Sequence, residues 1–331
     1  MGNRILNKAK YSSNTDEWYT DYETIKKEVI NYKNQLFNKI IFCNCDNPYK
    51  SEFVKFFLKN FNELKIKKLI CTSYTKTDLF SENSEGLILE VDSFPVNITT
   101  SEEIDKYLVE TGIVKKLQGN GDFMSDESIE YLKQSDIIIT NPPFSMFSQL
   151  FSLLVKYNKK YLLIANQNAI TYKDIFPYIK NNKARVGYHF GDMSFKVPNN
   201  TESRKTRFWI DETGQKWRSL GNAMWITNLS VTRDNKKLKL HKRYNKNFYE
   251  KYDNFDAIHI KKVSEIPYDY DGIMGVPITF LKYHDDKEYE IVGEANHGSD
   301  NEYDLFKPKI KGKEMFKRIL IKKRKREYDE V

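Results

Sequence analysis

Short apolar runs that alternate with amphipathic segments most restrict how this chain folds. The runs "KIIFCNCD", "KIKKLICTSYT", "SDIIIT" and "KYLLIAN" predict strands that are buried on both faces. Helices are predicted between them over residues 23–37, 51–61 and 125–134 and over "MFSQLFSLLVKYN", with Ser51 and Ser125 as N-caps. This alternation indicates a doubly wound α/β domain whose parallel sheet carries helices on both faces.

The sequence changes character beyond about residue 185. The stretch "RFWIDETGQKWRSLGNAMWITNL" alternates aromatic and polar residues, which predicts antiparallel strands with a turn near Gly214. Residues 232–251 then carry eight Lys or Arg against two acids, and residues 307–326 carry eleven against one. We therefore expect a main domain over 1–230 and a smaller basic region over 231–331.

Charge and composition narrow the class of partner. The 331 residues include 54 Lys and Arg against 46 acids, a formal charge of +8 that suits a polyanion but also describes a merely lysine-rich surface. No apolar run is long enough for a membrane span and no secretory signal is visible, so a cytoplasmic protein without membrane contact is expected. The three cysteines lie in strand-like runs and the five histidines lack metal-ligand spacing, which predicts free thiols and no metal.

Three polar segments follow predicted strands, at the sheet edge where ligands of such folds bind. They are "CNCDNP" at 43–48, "GNGDF" at 119–123 and "TNPPF" at 140–144. The first lacks the glycine-rich loop of a dinucleotide site, so dinucleotide binding is disfavoured. Asp46 remains a candidate for a polar group of a cofactor, and equally for a helix cap or turn. Asp122 could accept from an adenine amino group that Phe123 covers, although Gly-Asp is also common in turns.

The four residues Asn141-Pro142-Pro143-Phe144 suit one particular reaction. An exocyclic amine on a nucleobase is a poor nucleophile because its lone pair is delocalised into the ring. Acceptors on its hydrogens, here the Asn141 side-chain oxygen and the Pro142 carbonyl, would draw the nitrogen toward tetrahedral geometry. The prolines fix the turn, and Phe144 offers a face for a flat ring. The alternative is an ordinary helix start, with Asn as cap and Pro in the first turn.

With these residues assembled, the sequence resembles the amino-methyltransferases that share the motif [D/N/S]-P-P-[Y/F/W]. It is more closely similar to the EcoRI-type adenine-specific DNA methyltransferases, and the similarity extends over most of the chain. Besides the strand-end segments, it rests on "NTDEWYTDYETI", "GNAMWITNL", "YDGIMGVPITFL", "YEIVG" and "RILIKKR".

The resemblance implies a Rossmann-like methyltransferase sheet that binds S-adenosyl-L-methionine. It places Asn141, Pro142, Pro143 and Phe144 at the target adenine. Cofactor contacts are implied for three pairs of residues: Asp46 and Pro48, Asp122 and Phe123, and Tyr19 and Thr20. No acid follows the second strand before Asp78, so no ribose ligand is assigned.

The resemblance further implies methylation of adenine N6 in a specific site of double-stranded DNA, after the base has left the duplex. The basic C-terminal region would clamp phosphates and read bases, and a restriction endonuclease acting on the same site is an implied partner. Two other readings stay open. One is methylation of ribosomal RNA or of a protein glutamine, and the other is a nucleic-acid-binding module with an inactive methyltransferase fold.

Overall fold

The computed structural model describes residues 18–75, 85–232, 238–295 and 307–324. These residues form two compact units. The first contains the described residues up to 166 together with 187–230, and the second contains 167–186 together with the described residues from 231 onward. Asp78, the first acid after the second predicted strand, lies outside the described residues.

The first unit is built around a large sheet and a smaller one. In chain order its strands are β1 (Tyr19–Thr20), β2 (Ile40–Cys43), β3 (Lys68–Ser73), β4 (Leu87–Val91), β5 (Lys115–Lys116), β6 (Ile137–Thr140), β7 (Lys160–Asn166), β8 (Arg185–Phe190), β9 (Met193–Lys196), β10 (Phe208–Ile210), β11 (Lys216–Leu220) and β12 (Ala223–Thr227). The last four residues of β8 belong to this unit.

Helices alternate with the strands of the large sheet, as the sequence pattern predicts. They are α1 (Tyr22–Val29), α2 (Lys33–Leu36), α3 (Glu52–Lys59), α4 (Phe61–Leu64), α5 (Ser101–Thr111), α6 (Asp126–Gln134), α7 (Phe147–Lys156) and, in the second unit, α8 (Phe176–Lys180). The predicted helix over 23–37 is interrupted by a 3-10 turn at Ile30–Tyr32. Its apolar stripe is nevertheless buried, because Ile25, Val29, Tyr32 and Leu36 are all fully inaccessible to solvent.

The two predicted N-caps are confirmed. The Ser51 hydroxyl accepts a hydrogen bond from the backbone N–H of Phe53 at the start of α3. The Ser125 hydroxyl accepts one from the N–H of Ser128 at the start of α6. Both caps satisfy orphan donors of the first helical turn, so both helices begin where their sequences indicate.

The large sheet has the strand order β5-β4-β3-β2-β6-β7-β12-β8. Its four central strands, β3, β2, β6 and β7, are parallel. This confirms the α/β class and the Rossmann-like arrangement. From β2 the chain moves outward to β3 on one side and later returns to β6 on the other. The carboxyl ends of β2 and β6 therefore flank a topological switch point, where sheets of this kind bind ligands.

Antiparallel strands extend the sheet on either side of its parallel centre. The pairings of β3 with β4, of β4 with β5 and of β7 with β12 are all antiparallel. All five residues of β12 are buried, so this strand is apolar along its whole length. The parallel sheet expected from the sequence is thus the centre of a mixed one.

A small antiparallel sheet in the same unit has the order β1-β9-β11-β10. The turn between β10 and β11 contains Gly214 at φ 84°, which confirms the predicted hairpin. Asp211 holds this turn, because its carboxylate accepts bonds from the Thr213 hydroxyl, from the N–H groups of Thr213 and Gln215 and from the Trp217 indole. These donors, led by the Thr213 hydroxyl, lower the pKa of Asp211 to about 2.

The second unit has a four-stranded sheet of its own and a short hairpin. Its strands are β13 (Ile258–His259), β14 (Met274–Val276), β15 (Tyr289–Ala295), β16 (Lys309–Ile310), β17 (Lys313–Glu314) and β18 (Arg318–Lys323). The sheet order is β13-β14-β18-β15, and β16 pairs with β17. The segment after β14 is packed rather than exposed, because Ile278, Phe280 and Leu281 are buried. Across the described ranges, no helix is both long and apolar enough to span a bilayer.

Candidate functional site: the carboxyl ends of the central strands

Asn141 follows β6 directly, and its side-chain amide is held in one orientation. The amide nitrogen donates a 2.7 Å hydrogen bond to the main-chain carbonyl of Trp18. A carbonyl only accepts, so the NH₂ end of the amide must face Trp18 and the oxygen must face away. That oxygen, Asn141 Oδ1, is buried and has no hydrogen-bond partner among the residues that the structure describes. A fixed, open acceptor therefore stands at the end of β6.

The residues after Asn141 form a rigid turn. Pro142 is buried, and Pro143 has φ −53° and ψ 127°. The Pro143 carbonyl accepts from the N–H of Met146, which closes a single 3-10 turn over Phe144–Met146. Asn141 caps neither this turn nor α7, since the residues at the cap positions are Pro143 and Met146. The helix-start interpretation of the tetrapeptide is therefore wrong.

The Trp18 carbonyl is itself held by the small sheet. Trp18 precedes β1, which pairs with β9 so that Thr20 lies opposite Phe195. The Trp18 ring packs on Phe195 with centroids 5.7 Å apart. The Arg218 guanidinium lies over the Trp18 ring, 4.7 Å from its centroid. The orientation of the Asn141 amide thus depends on a strand pairing and an aromatic cluster, neither of which contains a residue next to Asn141 in sequence.

Asp46 lies just after β2 and forms hydrogen bonds to the other segments that meet at the switch point. One of its carboxylate oxygens accepts from the Ser51 hydroxyl and the other from the Thr140 hydroxyl, both at 2.6 Å. Its backbone N–H donates to the Thr72 carbonyl of β3 at 2.9 Å. Burial raises the pKa of Asp46 to about 6, although the two hydroxyls oppose that shift. Asp46 therefore joins the ends of β2, β3 and β6 and the cap of α3.

Pro48 is buried in the turn between Asp46 and α3. The Asn47 carbonyl accepts from the N–H groups of Lys50 and Ser51, which closes this turn. A proline here keeps the chain in the shape that delivers Ser51 to its capping position.

Asp122 and Phe123 are brought to the end of β3 by glycine packing. Gly121 has φ 80°, and a Cβ on it would lie 2.1 Å from the Ser73 carbonyl oxygen. The Thr75 N–H donates to the Asn120 carbonyl at 2.8 Å, so the loop lies directly against the chain that leaves β3. Phe123 is buried and Asp122 is half-buried. Only glycine allows this close approach with that backbone conformation.

The Cys45 thiol is affected by both candidate carboxylates, those of Asp46 and Asp122. Its pKa is raised by burial first, then by the charge of Asp46, and also by the charge of Asp122. The loop after β2 contacts the carboxyl end of β3 through the bond from Asp46 to Thr72, and the loop before α6 contacts it through the bond from Thr75 to Asn120, so both loops lie at the same edge of the sheet. The sequence predicts Cys45 as a buried free thiol. The structure leaves it half-buried between two site segments.

Two further polar atoms near this edge lack internal partners. Thr20 in β1 and Thr72 in β3 are buried, and neither side-chain hydroxyl has a hydrogen-bond partner within the described ranges. A buried hydroxyl without a partner is unfavourable by about 1–3 kcal/mol. Tyr19 lies next to Thr20 and opposite Lys196 in the register of β1 and β9. The strand ends therefore carry open hydrogen-bonding capacity of the kind that a polar ligand satisfies.

The sequence did not point to several residues that build this edge: Trp18, Ser51 in its bond to Asp46, Thr140 and Arg218. Trp18 stands in a segment that the resemblance includes, but its bond to Asn141 joins residues 123 positions apart. No local pattern reports a contact of that kind. In the described chain, His, Cys, Asp and Glu side chains do not group in threes or more as a metal site requires.

Comparison with known proteins agrees with this architecture. The family model described as "Adenine-specific methyltransferase EcoRI" matches residues 5–329. Type II methyltransferase M.EcoRI from Escherichia coli is 43% identical over 329 residues, which are 98% of this chain and 97% of that protein. A search of solved structures finds no significant match.

Two mycoplasma proteins are also similar. Type II methyltransferase M.MgeORF184P of Mycoplasma genitalium is 38% identical over 294 residues, 87% of this chain and 85% of that protein. Type II methyltransferase M.MpnI of Mycoplasma pneumoniae is 32% identical over 343 residues, 96% of this chain and 98% of that protein. The resemblance drawn from the sequence is confirmed, and the chain belongs to the EcoRI family of adenine-specific DNA methyltransferases, enzymes that move a methyl group from a donor to adenine.

Proposed function

We propose that this protein transfers a methyl group from S-adenosyl-L-methionine to N6 of an adenine in a specific double-stranded DNA site, as the modification enzyme of a restriction-modification system. The observation that carries the proposal is the Asn141 amide, whose nitrogen is bound by the Trp18 carbonyl while its buried oxygen has no partner. An acceptor kept open in this way suits the hydrogen of an amino group.

The energetic argument concerns the free protein. Leaving Oδ1 of Asn141 buried without a donor costs about 1–3 kcal/mol. A bound amine removes that cost by donating one hydrogen. The acceptor is already oriented when the amine arrives, so no rearrangement opposes the reaction. An oriented acceptor at the end of a rigid strand is therefore better explained by a role toward substrate than by one in folding.

The chemistry requires little beyond positioning. S-adenosyl-L-methionine, when bound, supplies a methyl group on a positively charged sulfur. Asn141 Oδ1 accepts one N6 hydrogen and makes the nitrogen lone pair available for attack on that methyl. The new N–C bond replaces the S–C bond, whose electron pair stays on sulfur, and the N6 proton then passes to water. The Phe144 ring is proposed to stack on the adenine, and Pro142 and Pro143 to keep the turn rigid.

The donor is proposed to lie along the strand ends that surround the switch point. Asp122 and Phe123 would contact its adenine, Tyr19 and Thr20 its methionine end, and the loop with Asp46 and Pro48 would line the cleft. The unpartnered hydroxyls of Thr20 and Thr72 support this assignment, because they offer hydrogen bonds that the protein itself does not use. Asp46 is best regarded as an organiser of the cleft, since both of its oxygens already accept internal bonds.

DNA recognition is proposed for the basic region over 231–331. Among its described residues, ion pairs with acids are formed by Arg243, Lys251, Lys261, Lys307 and Lys311. Lys242 and Lys246 are exposed and have no ion pair in the part of the chain that the structure describes. Phe248, 56% exposed, follows Lys246 by two positions in the sequence. Unpaired cations next to an exposed ring are typical of a surface that meets a nucleic acid.

The test is sequencing that detects modified bases in DNA from cells that express the chain, with an Asn141→Ala strain as the matched control. N6-methyladenine in one short recurring sequence, absent from the control, is the expected result. That sequence also identifies the site on which a partner endonuclease would act. Methyl groups found on ribosomal RNA or on protein glutamine, with none on DNA, would overturn the proposal, as would cofactor binding without transfer to any substrate.

A further inference from the structure

Arg218, in β11 of the small sheet, stands close to the proposed catalytic turn without a compensating acid. The Arg218 guanidinium lies 4.7 Å from the Trp18 ring centroid and is half-buried. Its pKa is lowered by burial and by the charge of Arg204. In the part of the chain that the structure describes, the Arg218 guanidinium forms no ion pair with a carboxylate.

This arrangement contrasts with the other buried or partly buried charges of the same unit. The Glu52 carboxylate is bound by Lys196 at 2.5 Å. The buried Glu28 carboxylate accepts from the N–H groups of Tyr188 and His189. Partly buried charges are generally paired, because an isolated one loses hydration without compensation. A partly buried guanidinium without an anion therefore indicates a site for an anion that is supplied from outside.

The location of the Arg218 guanidinium indicates which anion would bind there. Trp18 supplies the carbonyl that orients the Asn141 amide, so only one residue separates the Arg218 guanidinium from the proposed catalytic group. Within the proposed reaction, an adenine held at Asn141 remains attached to its DNA strand through two phosphates. Guanidinium groups bind phosphate oxygens with two parallel N–H donors, a geometry that an ammonium group cannot copy.

The contact with the Trp18 ring also orients the Arg218 guanidinium. Stacking on Trp18 restricts the guanidinium plane and removes rotamer freedom before any ligand binds. In the register of β9 and β11, Arg218 lies opposite Phe195, so the side chain rises from a paired strand rather than a loop. A phosphate would therefore meet a preorganised donor set.

We propose that Arg218 binds a phosphate of the target strand next to the adenine that enters the site, and so places that adenine at Asn141. This inference rests on the proposed function and adds a substrate-positioning contact to it. The contact is made to the sugar-phosphate backbone and is independent of base sequence. It assigns a DNA-binding role to the methyltransferase unit itself, in addition to the basic region over 231–331.

The experiment measures DNA affinity as a function of salt for the wild type, Arg218→Gln and Arg218→Lys. Arg218→Gln is expected to lose about 5–10-fold in affinity near 0.1 M salt, and to reduce the slope of log affinity against log salt by about 1. Arg218→Lys should keep the slope but bind less tightly than the wild type. Lys39→Gln is the control, because this exposed cation precedes β2 and thus lies at the opposite ends of the strands.

A second arm locates the phosphate. In duplexes that contain the methylated sequence, neutral methylphosphonates replace single linkages next to the target adenine. One such replacement should weaken the wild type but not weaken Arg218→Gln further. The inference would be overturned if Arg218→Gln had the affinity and salt slope of the wild type. It would also be overturned if each methylphosphonate weakened binding by Arg218→Gln as much as it weakens binding by the wild type. Thermal unfolding of Arg218→Gln and Arg218→Lys, expected to be close to that of the wild type, shows that the variants are folded.

The outcomes also separate this inference from the function on which it rests. A wild type that methylates DNA adenine together with an Arg218→Gln variant that binds normally rejects the phosphate contact alone. A wild type that transfers no methyl group to DNA rejects the proposed function, whatever the arginine variants do.

Discussion

The amide nitrogen of Asn141 donates a 2.7 Å hydrogen bond to the main-chain carbonyl of Trp18. This bond decides which end of the amide remains available, and it joins the end of β6 to a segment that precedes the first strand. The N-terminal segment thus becomes part of the proposed active site through its backbone. Any change that displaces Trp18 is expected to disturb the amide without altering its chemistry.

Phe144 provides a test of base retention. Replacing it with Ala should weaken the hold on the displaced adenine by about 1–3 kcal/mol, because a stacking face is lost. A fluorescent adenine analogue at the target position should brighten when the wild type binds and brighten less with Phe144→Ala. Phe144→Tyr keeps an aromatic face and serves as the control. Equal brightening with the Ala and Tyr variants would show that the ring does not stack on the base.

Gly121 provides a test of the loop that carries Asp122. A methyl group at Gly121 would collide with the Ser73 carbonyl, and the backbone there has φ 80°. Gly121→Ala should therefore lower both the thermal stability and the affinity for S-adenosyl-L-methionine. Gly119→Ala is the matched control in the same loop, since the nearest atom to its Cβ is a Glu127 side-chain oxygen at 3.7 Å. Calorimetry of both variants measures the unfolding temperature and the affinity for S-adenosyl-L-methionine. Equal values for Gly121→Ala and Gly119→Ala would contradict the proposed packing.

Asp46 predicts a pH dependence of stability. Its pKa is raised to about 6, so between about pH 4 and pH 6 the folded protein binds a proton that the unfolded chain has released. Stability therefore falls as the pH rises through this window and is flat above it. The Asn side chain of Asp46→Asn does not titrate, so the variant does not lose this stability. From pH 4.5 to pH 7.5 its free energy of unfolding should rise by about 2 kcal/mol relative to that of the wild type.

Urea unfolding at the two pH values measures that gain. Asp92→Asn, which changes an exposed carboxylate in the same unit, is the control and should show no such gain. A free-energy difference between Asp46→Asn and the wild type that stays constant with pH would contradict the account of the switch point.

The basic region predicts a contrast between free and paired lysines. Lys242→Gln with Lys246→Gln should weaken binding to DNA of any sequence and reduce the salt slope by about 2, because two counterion-releasing contacts are removed. Lys251→Gln is expected to change the slope less, since Lys251 already pairs with Asp256 at 2.9 Å. Fluorescence anisotropy with labelled duplexes over a range of salt concentrations measures both. Equal slopes for the two variants would exclude this surface from DNA binding.

Much of the fold follows from the sequence because its elements are locally encoded. The strands β2, β3, β6 and β7 are continuous apolar runs, and serine caps begin α3 and α6. The sequence predicts β12 as part of an antiparallel stretch, but it indicates neither the pairing of β12 with β7 nor the strand β4, since an apolar run does not reveal which strand it will pair with. Register and neighbour choice are set by tertiary contacts.

The candidate site, like the fold, could be predicted from the sequence only where its residues carry a local signal. Asn141 and Asp122 could be singled out because polar residues at strand ends are a local signal. The bond from Thr140 to Asp46 and the stacking of Arg218 on Trp18 join distant parts of the chain and have no sequence signature. For the same reason the sequence suggested a cofactor contact for Asp46 but could not reveal that its oxygens bind Ser51 and Thr140.

The central claim is that the Asn141 side-chain oxygen activates the adenine amine. Single-turnover transfer of a labelled methyl group to a duplex that contains the methylated sequence, compared between the wild type and Asn141→Ala, tests it most directly. The account predicts a rate at least about 10²-fold lower for Asn141→Ala, with DNA and S-adenosyl-L-methionine bound as tightly as by the wild type. A rate within a few-fold of the wild type at saturating substrates would contradict it.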